Sequence, residues 1–328
     1  MKKIIISLLG VCLVIMAFVV TYFKFQDESD LQKIRIAEVT HSIFYAPMYV
    51  AIEKGFFEEE GIEIELILTP GADRVAAAVL SNDVEIGFAG PESAIYVYNG
   101  GEKDYLVTFA GLTKRDGQFI VSRNEIENFE LKNMVGKEVL AGRVGGMPLL
   151  NFQNALKNAG IRERDLRINT SVEFAALAGA FIGNNGDFVN LFEPLATKLE
   201  KEGYGFIVGS VGQLSGEVPY TCFYARKSFI DNNKDLMIGF TNAIAKGLKY
   251  VEENDAKDIA DAILKQFPDT SLNDLITIIN RYKEADSWLQ NPFITEESFK
   301  NLQDIMINAK QITSHVPYKT LINNLYTK

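Results

Sequence analysis

Four short stretches of the chain combine residue types that can grip a small molecule. In His41-Ser42-Ile43-Phe44-Tyr45, two aromatic rings follow an imidazole and a hydroxyl. Phe44 and Tyr45 can stack on a planar ligand while His41 or Ser42 hydrogen-bonds it; the plainer reading packs Phe44 beneath the next helix and leaves His41 in solvent. Gly90-Pro91-Glu92-Ser93 offers amide hydrogens, a carboxylate and a hydroxyl, although Glu92 could serve only to complement the positive end of a helix. In Gly142-Arg143-Val144-Gly145-Gly146-Met147, the paired glycines permit close backbone approach, and Arg143 could clamp an anion or simply be solvated. Asn190 and Glu193 are the last pair: the carboxylate could accept from an amino or ring-nitrogen donor, or cap the following helix. Lys114-Arg115-Asp116 reads as a charged turn.

Catalytic and metal chemistry find little footing. No Gly-x-Ser-x-Gly elbow, His-Glu-x-x-His pair or phosphate-binding Gly-Lys-Ser/Thr loop occurs. The histidines are His41 and His315 and the cysteines Cys12 and Cys222, so neither a structural zinc site nor a disulfide is expected, nor any cofactor. The net charge of −10 disfavours nucleic acid as a partner, which requires a basic surface. With 328 residues, 47% of them hydrophobic, there is material for two packed domains.

The elements that must carry these stretches repeat one design. Ile34–Val39, Val84–Phe88, Glu138–Ala141 and Phe188–Phe192 read as strands. Each is followed by a loop, then a helix bracketed by proline and glycine: Pro47 and Gly55, Pro91 and Gly100, Pro148 and Gly160, Pro194 and Gly203. Proline lacks the amide hydrogen that would be unpaired at a helix start, and glycine tolerates the left-handed turn past its end. Strand–loop–helix units imply an α/β fold with mainly parallel sheets, and ligands then bind beyond the carboxyl ends of the strands. The units form two blocks, about 34–111 and 131–209, linked by extended runs at Gly111–Ser122 and Val218–Ala225, with helical periodicity from Asp231 onward.

At the N-terminus, Lys2 and Lys3 precede an apolar run, Ile4–Phe23, long enough to span a bilayer. An uncleaved anchor that leaves the remainder outside is preferred. A lipoprotein signal would want a smaller residue than Val11 before Cys12, and no clear cleavage site follows the run. Each reading exports the rest of the chain.

The stretch Ala46–Phe57, with its Lys54-Gly55-Phe56-Phe57 ending followed by Gly61 and a strand, resembles the type II periplasmic-type binding proteins of the sulfonate, taurine, nitrate and thiamine-pyrimidine-precursor group. Asp83–Gly90 and Asp187–Pro194 are similar to that group as well, and the resemblance spans about 34–318. It implies a bilobal protein: signal or anchor 1–28, lobe I from 29–116 plus 220–328, and lobe II from 117–219. It further implies a monomeric, non-enzymatic receptor that closes on a small solute and delivers it to an ABC permease and, through it, an ATPase. For the ligand, Phe44 and Tyr45 with Glu92 and Glu193 point to a planar nitrogenous compound such as a thiamine pyrimidine precursor; Arg143 points to a sulfonate-type anion. The former is preferred. An enzyme related to pyrimidine-precursor synthases and an anchored solute sensor are the alternatives from other classes.

Overall fold

The computed structural model describes residues 31–325. The apolar N-terminal run and Cys12 lie outside the described residues; among those described, no helix is long and apolar enough to cross a membrane. The chain forms two five-stranded sheets. The first contains β1 (Gln32–Glu38), β2 (Ile62–Leu68), β3 (Ile86–Ala89), β4 (Leu106–Thr113) and β10 (Thr221–Arg226), in the order β2-β1-β3-β10-β4. The second contains β5 (Phe119–Ser122), β6 (Glu138–Leu140), β7 (Arg167–Asn169), β8 (Phe188–Leu191) and β9 (Phe206–Ser210), in the order β7-β6-β8-β5-β9. Helices cover both, which makes two α/β lobes.

Each sheet has one strand running against the rest. β10 is antiparallel to β3 and β4, and β5 is antiparallel to β8 and β9. The sheets are mainly parallel, as expected from the sequence, and the one reversed strand in each has a geometric reason. β5 and β10 are the strands that arrive from the other lobe. A chain crossing the cleft enters at the side where the neighbouring strands end, so it must run back against them. The crossings lie side by side: Val218 N–H donates to the Lys114 carbonyl and Tyr220 N–H to the Thr113 carbonyl, both at 3.0 Å.

The proline brackets hold. Pro47 and Pro148 sit in the first turn of helices Ala46–Glu53 and Met147–Asn158, while Pro91 and Pro194 cap Glu92–Asn99 and Leu195–Lys201. At the end of Glu92–Asn99 the left-handed residue is Gly101, not Gly100. The helical C-terminal half packs onto the first lobe. Phe240, Ile244, Leu248 and Val251 of helix Lys234–Glu253 are all buried, and the helix crosses Ala46–Glu53 so closely that a Cβ at Gly247 would lie 2.2 Å from the Pro47 carbonyl. Helix Leu272–Glu284 extends the same mass past the crossings, where Tyr282 takes the Glu193 N–H and donates to the Gly117 carbonyl.

Candidate functional site

Where the strands end, the lobes meet. The loop after β1 is fixed from below. Nδ1 of His41 lies 3.2 Å from Glu38 and its Nε2 lies 2.9 Å from the Gln266 carbonyl. Both partners accept, so the bonds are best satisfied by a doubly protonated ring. Burial opposes that charge, but Glu38 outweighs it and raises the His41 pKa. With its ring between Tyr49 and Phe267, His41 holds the loop instead of opening to solvent. Ser42 then reaches across the cleft: its hydroxyl donates to the Glu193 carbonyl at 2.8 Å.

Phe44 is fully buried at the junction of the lobes. Its ring meets Tyr45, Phe192, Tyr220 and Tyr282 at centroid distances of 5.2 to 5.8 Å, and its carbonyl accepts from Trp288 Nε1 at 2.7 Å. Gly117 admits that ring, since a Cβ there would sit 2.6 Å from it. Tyr45 packs edge-on to Phe88 and its hydroxyl lies beside Thr221.

Around this aromatic centre are polar atoms with nothing to bond. Glu92 is 2% exposed and its Oε2 has no partner. Its carboxyl curls back over Gly90, where a Cβ would be 2.0 Å from that oxygen and 2.5 Å from Met147 of the opposite lobe. Asp116 is 1% exposed; Oδ1 accepts the Gln118 N–H at 2.7 Å, while Oδ2 has no partner. Burial, only partly offset by nearby donors, pushes each carboxyl up to about 8. Tyr220 stands beside Asp116 without a hydrogen bond of normal geometry, and neither amide atom of the fully buried Asn190 has a partner. Gln118 ties these groups together, donating its side-chain amide to the Asn190 carbonyl at 3.2 Å. Buried polar groups are ordinarily paired, and each orphan costs about 1–3 kcal/mol. Several around one aromatic centre form a surface shaped to receive hydrogen bonds from a guest.

The other expected residues lie differently. Arg143 is exposed and faces Asp73 at 3.2 Å and Glu173 at 3.7 Å. Gly145 accepts a 3.0 Å hydrogen bond from Tyr96 of the first lobe, and Gly146 caps helix Met147–Asn158. Ser93 turns its hydroxyl to the Gly90 carbonyl at 2.6 Å. Glu193 is saturated: Thr197 donates its N–H and its hydroxyl, both at 2.8 Å, and Arg281 completes an ion pair. Thus Phe44 and Tyr45 form the aromatic centre of this buried enclosure, Gly90 lies against Glu92, and Asn190 joins Asp116 through Gln118. Glu193 and Arg143 make ion pairs between the lobes.

Asp116 and Tyr220 were not selected from the sequence. The available signal was polarity in an apolar context, with Asp116 and Gln118 immediately before Phe119-Ile120-Val121. Among the described residues, no group of three or more His, Cys, Asp or Glu side chains is placed to hold a metal ion. An open groove of about 340 Å³ between helices Met147–Asn158 and Glu296–Asn308 is lined by Gln153, Lys157 and Arg162 and lies away from the orphaned atoms.

Comparison with known proteins gives consistent relatives. The profile of the family described as NMT1/THI5 like matches residues 43–257. The candidate binding protein YtlA of Bacillus subtilis (strain 168) is 42% identical over 299 residues, 91% of this chain and 90% of that protein. The 4-amino-5-hydroxymethyl-2-methylpyrimidine phosphate synthase of Aspergillus parasiticus is 25% identical over 222 residues, 63% of each chain. Among solved structures, the ligand-binding component of an ABC-type import system from Staphylococcus aureus superposes with a TM-score of 0.71 at 15% identity, covering 90% of this chain and 98% of that one. The periplasmic aliphatic sulphonate binding protein SsuA from Escherichia coli does so with a TM-score of 0.70 at 15% identity, covering 89% and 97%.

Proposed function

The chain belongs to the NMT1/THI5-like family, and from that premise we propose that it is the extracytoplasmic solute-binding component of an ABC importer. Lobe I, from residues 29–116 and 220–328, and lobe II, 117–219, turn about the paired crossings and close on one small solute, which is handed to the permease. The protein acts as a monomer and without catalysis, held at the outer face of the membrane by its N-terminal segment. The likeness in fold to import-system binding components supports this reading.

For the ligand, one observation carries most weight: orphaned acceptor oxygens on Glu92 and Asp116, enclosed with aromatic rings and no ion-pair partner. This supports a planar nitrogenous solute of the aminopyrimidine kind, whose ring stacks and whose amino hydrogens meet the carboxyls. A sulfonate is the second reading, favoured by the name of the Escherichia coli neighbour. It needs a buried cation or a set of free amides; Arg143, the residue suited to it, lies outside the enclosure in exposed pairs.

A thermal-shift screen of the full-length protein against aminopyrimidines, alkanesulfonates, taurine, nitrate and amino acids tests both readings. A ligand at 100 times its dissociation constant stabilises the fold by about 2.7 kcal/mol. A shift with 4-amino-5-hydroxymethyl-2-methylpyrimidine or a related amine supports the proposal. A shift confined to sulfonates replaces it with the anion reading, and turnover of the pyrimidine would move the protein to the enzyme class.

A further inference from the structure

Resting on the receptor role above, we propose that the enclosure selects a positively charged solute, and that Glu92 and Asp116 surrender protons as they grip it, so that capture is coupled to proton release. The two carboxyls approach from separate elements, Glu92 from the helix start after β3 and Asp116 from the first crossing. Tyr45 and Tyr220, both buried, are near enough to feel both carboxyls. The titratable groups that feel Glu92 are neutral or potential anions: Tyr45, Tyr96, Tyr220, Tyr224 and Cys222. Tyr45 and Tyr220 are those that feel Asp116. Arg115, next in sequence, commits its Nη2 to Glu217 and Asp286 while its buried Nε has no partner. The backbone amides of Glu92, Met147 and Ser93 give Glu92 partial relief only.

Two carboxyls held this way stay protonated at neutral pH, because an unpaired anion in a dry site is costly. A cation reverses the balance. An ammonium or amidinium between them restores the missing charge partner, the O–H protons leave to bulk solvent, and each carboxylate accepts a charge-assisted hydrogen bond. An anion gains no such exchange and meets repulsion if either group ionises. The unpartnered amide of Asn190 and hydroxyl of Tyr220 remain to orient the neutral part of the solute.

The test is isothermal titration of the full-length protein at pH 7 in two buffers of different ionisation enthalpy. The probes are 4-amino-5-aminomethyl-2-methylpyrimidine, whose side-chain amine is charged, and its neutral 5-hydroxymethyl counterpart. The inference expects the charged probe to bind about tenfold or more tightly than the neutral one. It also expects net proton release, with affinity rising up to about tenfold per pH unit for each proton released. Glu92→Gln and Asp116→Asn should each remove part of the release. Equal binding of the two probes, or binding without release, overturns the coupling while leaving the receptor reading intact. Binding of an alkanesulfonate with neither pyrimidine bound overturns both. Should no probe bind, infrared difference spectra of wild type against Glu92→Gln decide: a protonated-carboxyl stretch persisting at pH 7 supports the inference, and its absence at pH 6 ends it.

Discussion

Glu92 and Glu193 occupy matching places in the two lobes. Each follows a strand end and sits beside a proline that opens a helix, and both are about 1–2% exposed. Their surroundings differ completely. Glu193 has both oxygens engaged by Thr197 and a salt bridge from Arg281, whose guanidinium also reaches Glu200 at 3.2 Å and lies over Phe119. Glu92 has an oxygen with no partner at all. One carboxylate is an internal fastener between lobe II and the helix Leu272–Glu284, and the other keeps a buried oxygen without a partner, which the proposed function assigns to a solute. Burial is common to both carboxylates; what separates them is the state of their hydrogen bonds.

The largest expected effect breaks the fastener. Arg281→Ala leaves Glu193 buried without its cation and should cost about 3–5 kcal/mol in urea unfolding, with the transition midpoint falling accordingly. A loss under 1 kcal/mol would mean that Thr197 alone suffices. Glu92→Gln is the contrasting case: stability should hold or improve, because a buried group with no partner is removed, while affinity for the solute drops about 10- to 100-fold, or about 1.4–2.7 kcal/mol. An equal loss of stability in both variants would erase the distinction between the two sites.

Titration sharpens it further. Burial raises the folded-state pKa of Glu92 from 4.5 and of Asp116 from 3.8, each to about 8. Across that window the folded chain retains protons that the unfolded chain has lost, so stability without ligand falls as pH rises and levels off above about 8. Each group contributes at most about 1.4 kcal/mol per pH unit. Glu92→Gln should flatten this slope, as read from melting temperatures between pH 5 and pH 9. The smallest effect belongs to Arg143→Ala. Its pairs with Asp73 and Glu173 are exposed, so stability should change by less than about 1 kcal/mol and solute affinity not at all. Loss of binding in that variant would restore the anion reading.

Much of this molecule was legible in its residues. The four proline–glycine brackets located the strand ends, and with them the loops that line the cleft. The alternation of strands and helices established two α/β lobes, and Lys54-Gly55-Phe56-Phe57 indicated the family. Phe44, Tyr45 and Glu92 were candidates because they follow strands, and Asn190 because it lies in the last residues of β8, near the carboxyl ends where such folds place ligands. What local pattern could not decide is which polar groups remain free. Glu193 is satisfied by Arg281, 88 residues away, and Arg143 by Asp73, 70 residues away, through pairings that exist only once the lobes are folded together. Asp116 looked like part of a charged turn until the crossing buried it with Tyr220. The orientation of β5 and β10 likewise depends on crossing the cleft and not on the strands' own residues. Helix and strand signals are local because backbone hydrogen bonds are periodic. The vacancy of a hydrogen-bonding atom depends on everything packed around it, and only the tertiary structure decides that.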